Sequence, residues 1–254
     1  MIRVAAVGDI HMGLDSHGVL RPAFETLDAC ADLLLLAGDL TRHGTPEEAR
    51  VVAQEVTGLP VPVVAVLGNH DHHDDKPQEV TAVLRDAGVR VLEGEGTVVE
   101  VGAERVGVAG TKGFGGGFAG RCGSEFGEPL MKEFVRHTRR CAEGLRAALD
   151  GLAEAGCATR VALTHYSPVP DTLAGEPLEI FPFLGSYHLA EAIDDAGADL
   201  AVHGHAHAGT EHGITSGGVP VRNVAQPVIR KAFHVYHLGT GAKEKTAAGH
   251  YLNN

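Results

Sequence analysis

Five apolar runs in this chain end in side chains able to bind a metal ion or carry a proton. Val4–Val7 leads into Gly8-Asp9-Ile10-His11, Asp32–Ala37 into Gly38-Asp39, and Val61–Leu67 into Gly68-Asn69-His70-Asp71. Arg160–Thr164 leads into His165, and Asp199–Val202 into His203-Gly204-His205-Ala206-His207. A carboxylate oxygen and an imidazole nitrogen two residues apart can converge on one cation from one loop. Asn69 adds a neutral carbonyl oxygen, His70 an imidazole suited to metal or proton, and Asp71 a carboxylate able to orient it. Each motif alone has a plainer reading, since Asp9 can cap a turn and Gly-Asn-His-Asp can open a helix. Their shared placement makes them a set, because the ligand crevice of an open α/β sheet lies outside the carboxyl ends of its strands.

The elements that must position these groups follow a βα rhythm. Pro22–Cys30 reads as a short helix. Thr45 reads as a capping hydroxyl, followed by Pro46 and two early acids, and opens a helix running to about Thr57. Glu79–Ala87 is a further helix, closed by Gly88. Val89–Leu92, Thr97–Val101 and Arg105–Ala109 then suggest an antiparallel meander. Gly110–Gly127 holds eight glycines and predicts a long mobile loop, either a surface excursion or, as is favoured for a long loop in a compact domain, a lid or rim over the crevice. Glu128–Ala155 has helical spacing, weakened in the middle by Gly144, and the proline-rich Val169–Leu184 reads as a second rim loop. Tyr187–Ala196 predicts a helix, Gly213–Gly218 a hairpin, and Val219–Val224 and Phe233–His237 the closing strands. One domain is expected over residues 1–238, with 239–254, rich in Gly, Ala and Lys, as a loosely held tail.

Composition narrows the function. The chain has 254 residues, 44% of them hydrophobic, enough for a sizeable core. Its net charge of −12, from 21 basic and 33 acidic residues, argues against a nucleic-acid polymer as partner. Cys30, Cys122, Cys141 and Cys157 are too scattered for a CxxC metal pair and read as free thiols in a reducing compartment. Met1 passes straight into the first strand without the pattern of a secretory leader, and no apolar run approaches a membrane span. A soluble, cytoplasmic protein with no membrane partner is the expectation.

The ordered set Gly-Asp-x-His, Gly-Asp, Gly-Asn-His-Asp, Thr-His and Gly-His-x-His resembles the motifs of the calcineurin-like metallophosphoesterase superfamily, from Asp9 to His207. The resemblance implies an α/β fold of two packed mixed β-sheets flanked by helices, a four-layer α/β/β/α sandwich. It implies that Asp9, His11, Asp39 and His207 hold one metal, and that Asp39, Asn69, His165 and His205 hold a second, with Asp39 bridging. His70 would stay off the metals as substrate binder and proton donor, paired with Asp71. The cofactors implied are two divalent transition-metal ions. Four imidazoles suit Mn, Fe, Co, Ni or Zn better than Ca²⁺ or Mg²⁺, and the lack of thiolate ligands singles out none of them.

Two divalent cations against two carboxylates leave the centre positive even with a bridging hydroxide, by about one charge, so a phosphate can bind despite the acidic surface. Such a pair clamps phosphoryl oxygens and makes water a nucleophile near neutral pH. The form Gly38-Asp39-Leu40-Thr41 resembles the branch acting on cyclic nucleotides and glycerophosphodiesters. It implies a metal-dependent phosphodiesterase whose partner is a small phosphate ester. A phosphomonoesterase on a small phosphorylated metabolite and a catalytically silent interaction scaffold are the alternatives. Arg42 and Lys112 are candidate phosphate binders, each with an ordinary surface role as its alternative. His203 reads as a supporting or core residue, and His72 and His73 as solvated loop residues.

Overall fold

The structure, a computed structural model, describes residues 1–239. The expected tail therefore lies, from residue 240 onward, outside the described residues. The first sheet opens with β1 (Ile2–Val7), β2 (Leu33–Ala37), β3 (Val63–Val66) and the two-residue β4 (Arg90–Val91), all parallel. Between β1 and β2 stand two single-turn helices, α1 (Arg21–Phe24) and α2 (Leu27–Cys30), so the one helix expected over Pro22–Cys30 is broken. At the break the Thr26 hydroxyl donates to the Ala23 carbonyl at 2.7 Å, a local bond that competes with helix continuation. Helix α3 (Pro46–Val56) begins as expected, with the Thr45 hydroxyl accepting from the Glu48 amide, and α4 (Pro77–Asp86) precedes β4.

The second sheet starts with the hairpin β5 (Glu95–Val101) and β6 (Glu104–Thr111). The expected three-strand meander is therefore corrected, because β4 pairs with β3 in the first sheet. A small hairpin, β7 (Gly117–Phe118) and β8 (Arg121–Cys122), occupies the glycine-rich stretch. That stretch is pinned rather than open: the Gly116 amide donates to the Pro182 carbonyl and the Gly117 amide to Gly185, at 2.7 and 2.8 Å. Helix α5 (Pro129–Glu154) follows, and Gly144 within it has a structural use. A β-carbon there would stand 3.3 Å from the Gly94 α-carbon, so glycine lets the two backbones cross closely.

Strand β9 (Thr159–Thr164), the single-turn α6 (Phe181–Leu184), α7 (Tyr187–Ala196) and β10 (Leu200–His203) complete the βα run. Strands β11 (His212–Ile214) and β12 (Pro220–Asn223) form the expected hairpin. After the single-turn α8 (Gln226–Ile229), β13 (His234–Leu238) pairs antiparallel with β1. The sheets thus run β13-β1-β2-β3-β4 and β11-β12-β10-β9-β6-β5.

Period-two alternation decides how the layers stack. Val106, Val108, Val161, Leu163, Leu200 and Val202 share one core with β1, β2 and β3. Their neighbours Ala109, Ala162 and Ala201 pack with Leu145 and Leu149 of α5 and Leu189 and Ile193 of α7. On the other flank, Val52 of α3 and Val80 and Leu84 of α4 join the first core. The result is two mixed sheets face to face between helices, the fold class expected from the sequence. Strands β2 and β3, buried at every position, account for runs without alternation.

Candidate metal centre

The loops after β1, β2, β3, β9 and β10 bring their polar side chains to one place. Ligating atoms of Asp9, His11, Asp39 and His207 all lie within 4.8 Å of one another, and so do those of Asp39, His165 and His205. Asp39 belongs to both groups. Its Oδ2 lies 3.9 Å from His11 Nε2, and its Oδ1 3.3 Å from His165 Nε2. His207 Nε2 donates to Asp9 Oδ1 at 2.8 Å, and His11 Nε2 approaches His207 Nε2 at 3.5 Å. Asn69 joins the second group, its Oδ1 2.9 Å from His165 Nε2.

Close approach of these loops requires glycine at two positions. A β-carbon on Gly68 would land on the Asp39 carboxylate, and one on Gly204 on the carboxylate of Asp9. The glycine preceding Asn69 and the one preceding His205 therefore leave room for acids delivered by other strands.

The donors fit a cation. The His165 Nδ1–H donates to the Ala37 carbonyl at 2.9 Å, and full burial holds this imidazole neutral, well below the ordinary histidine pKa. Nε2 then presents a lone pair to the oxygens of Asn69 and Asp39, an arrangement of converging acceptors that a positive ion between them would satisfy. His205 donates from Nε2 to the Phe183 carbonyl at 3.3 Å, and burial pushes its pKa down to about 3. Burial also lowers His11. Neutral imidazole is the form that binds metal. Asp9, wholly buried, is pushed up to about 6 by desolvation, against the bond from His207 that holds it down. His207 is raised by that same bond. Among the described residues the ion-pair partners of Asp9 and Asp39 are histidines throughout, with no lysine or arginine to neutralise the acids.

Beside this cluster, His70 is partly open, its side chain 44% exposed, with Nε2 4.0 Å from Asp39 Oδ2. The expected His70–Asp71 pair does not form. His70 Nδ1 donates instead to the Arg42 carbonyl at 2.8 Å. Asp71 is fully buried and accepts from the Leu40, Thr41 and Gly68 amides and the Thr41 hydroxyl. It ties the Asp39 loop to the Asn69 loop. Desolvation pushes its pKa to about 6 against these donors.

The Arg42 guanidinium is engaged by Asp15 at 3.0 Å, the surface ion pair. Lys112 is half-buried beside Phe114 and Tyr166, and Tyr166 packs on His205 with ring centroids 4.3 Å apart. His73 is exposed as expected, but His72 is half-buried and pushed down to about 4, chiefly by desolvation. His203 is buried, donating to the Gly204 carbonyl and accepting from the Thr172 hydroxyl, a supporting role. Thr41, Tyr166 and the Phe183 carbonyl were not singled out from the sequence, and only Thr41, within Gly-Asp-Leu-Thr, lay in a motif.

Two mixed sheets with metal-capable donors at their strand ends are the features a family model matches in this chain. The chain belongs to the calcineurin-like phosphoesterase family, whose model matches residues 2–209. It is 32% identical over 92 residues to a "probable cyclic nucleotide phosphodiesterase" of Synechococcus sp., a match spanning 32% of this chain and 34% of that relative. Its fold is similar to that of the phosphopantetheinyl hydrolase of Mycobacterium tuberculosis, with a TM-score of 0.63 at 16% identity over 89% of this chain and 90% of that one. The TT1561 protein of Thermus thermophilus is similar at a TM-score of 0.59 and 18% identity, over 92% and 98% of the two chains. At these identities the structural likeness is one of fold. Among the described residues no helix is long and apolar enough to cross a membrane.

Proposed function

We propose that this chain is a phosphodiesterase acting on a small phosphodiester with two transition-metal ions. Asp9, His11, Asp39 and His207 would hold one ion, and Asp39, Asn69, His165 and His205 the other. The observation that carries the reading is that Asp39 belongs to both donor groups. Bound there, the cations would polarise the phosphoryl oxygens and lower the pKa of a water molecule. The remaining work falls to protein groups. His70, fixed through Nδ1 by the Arg42 carbonyl, offers Nε2 beside Asp39 as the atom that gives its proton to the leaving oxygen. Asp71 acts at one remove, holding the Asp39 and Asn69 loops in register. A diester substrate is favoured by the Gly-Asp-Leu-Thr form of the second motif and by the likeness to the probable cyclic nucleotide phosphodiesterase of Synechococcus. The acidic balance of the chain favours a small substrate over a nucleic-acid polymer, and the four free thiols favour a reducing, cytoplasmic setting.

The test is reconstitution with manganese or zinc, followed by metal counting and assay on bis-p-nitrophenyl phosphate, p-nitrophenyl phosphate, cyclic nucleotides and glycerophosphodiesters. The expected result is two ions per chain, preference for a diester, and loss of both ions and activity in Asp39→Asn. A preference for the monoester would make the protein a phosphomonoesterase. Full metal occupancy without hydrolysis would point to the scaffold.

A further inference from the structure

Lys112 is an ammonium with unused capacity at the edge of the centre. Its Nζ stands 5.0 Å from the Phe114 ring centroid and 5.1 Å from that of Tyr166, and its one hydrogen bond among the described residues goes to the Gly113 carbonyl at 3.3 Å. An ammonium has three donors, so two remain open. Among the described residues no carboxylate pairs with it, because the nearby Glu93 turns its oxygens to the Lys112 amide and the Thr111 hydroxyl. Burial lowers the Lys112 pKa, against the nearby carboxylates of Glu93 and Asp39, which favour its charged form.

The position of Lys112 is fixed from both sides. Its carbonyl accepts from the His165 and Tyr166 amides, each at 3.1 Å, which ties its backbone to the residue after β9. The Tyr166 ring that faces Nζ also packs on the His205 ring. The ammonium thus stands one aromatic ring away from the candidate ligand His205, and no hydrogen bond links Nζ to a ligand side chain. The aromatic faces of Phe114 and Tyr166 attract the cation and hold it in place. Arg42, the other basic candidate near the centre, is engaged by Asp15. In a chain of net charge −12, this leaves Lys112 as a half-buried cation with free donors beside the crevice.

We propose that Lys112 is a specificity-determining residue that binds a second anionic group of the substrate, a phosphate or carboxylate beyond the scissile phosphoryl. This rests on the reading of Asp39 and its partners as the centre that binds the scissile group. The substrate class it selects is a small phosphodiester with a charged terminus.

The test uses p-nitrophenyl alkyl phosphodiesters of increasing chain length, ended either by a phosphate or by a hydroxyl, with the metal-reconstituted protein. A charge-assisted contact of this kind corresponds to about tenfold to a hundredfold in affinity. At the matching length, kcat/KM should favour the phosphate end by about that factor, through KM. Lys112→Met, which keeps an unbranched chain between the two rings, should remove the preference, and Lys112→Arg should restore most of it. A second readout needs no turnover: calorimetric binding of alkane bisphosphates against monophosphates, in wild type and in Lys112→Met. Equal kcat/KM for the two ends at every length, or the same loss on both series in Lys112→Met, would overturn the proposal. Binding discrimination that depends on Lys112 in a protein that hydrolyses no diester would sink the phosphodiesterase reading and leave the anion subsite standing.

Discussion

Replacing Asp71 by asparagine separates two roles that its place in the sequence leaves confounded. Oδ1 accepts from the Thr41 amide and hydroxyl, and Oδ2 from the Leu40 and Gly68 amides. Asparagine has one acceptor oxygen. Whichever way its amide turns, an NH₂ group faces two donors in a site with no exposed surface, so two hydrogen bonds are lost together. A buried donor left unsatisfied costs about 1–3 kcal/mol, so the pair amounts to about 2–6 kcal/mol. For a domain of this size each kcal/mol shifts Tm by about 2–4 °C, which places the fall on the order of 10 °C. The assay is calorimetric melting of Asp71→Asn beside wild type, metal-free and metal-loaded, with metal content and kcat measured on the folded protein at low temperature. The expected outcome is a large drop in Tm and weaker metal binding, because the lost bonds hold the Asp39 and Asn69 loops together. A variant that melts with wild type and binds both metals, yet has lost kcat, would refute the clamp and restore Asp71 as the orienting partner of His70.

Four further outcomes follow from the same geometry. His70→Ala should keep both metals and lose about 10²–10⁴-fold in kcat on alkyl phosphodiesters, with a smaller loss on p-nitrophenyl esters, whose leaving group needs no proton; equal losses on the two ester types would remove His70 as proton donor. Gly68→Ala and Gly204→Ala should each reduce metal stoichiometry, since the new methyl meets the carboxylate of Asp39 or Asp9, and should cost about 1–3 kcal/mol of stability by overpacking. Arg42→Ala should change stability by less than about 1 kcal/mol, because its ion pair with Asp15 is exposed and its hold on His70 is through the backbone; calorimetry checks it. Stripping metal with a chelator should lower Tm, and restoring it at about a hundred times its Kd should return about 2.7 kcal/mol per site; an unchanged Tm with ions bound would contradict a site formed only in the folded state.

What the sequence made legible was whatever depends on runs of residues. The strands before the candidate ligands are buried at every position or at all but one, so their apolar runs marked both the strand and its end, and Thr45-Pro46-Glu47-Glu48 marked a helix start that the structure keeps. What depends on long-range partners was hidden. Two residues, Arg90 and Val91, carry no signal saying which sheet they will join, and the edge left open beside β3 decides it. Asp71 follows His70 directly, but in the tight turn His70–His72 consecutive side chains diverge, one toward the Arg42 carbonyl and the other into the core under Thr41. The carbonyls that orient imidazoles, those of Ala37, Arg42 and Phe183, are backbone groups with no sequence signature at all.

The backbone itself marks the centre. Asp9, His11, Asp39 and His205 have φ of 55°, 41°, 50° and 71°, the left-handed region that side chains disfavour, and they are four of the six non-glycine residues so placed among those described. Each such residue costs of order 1–3 kcal/mol unless its surroundings hold it there. They do: the Asp9 amide donates to the Gly38 carbonyl and the His11 amide to that of Asp39, while the His205 amide donates to the Asp9 carboxylate. Each strained residue is thus bound to another loop that carries a candidate ligand. These bonds run within the protein, so protein contacts hold the backbone at each of these donors in its disfavoured conformation. A loop that relaxed to ordinary φ would turn its ligand out of the cluster, so shape and charge at this site are held by the same few bonds.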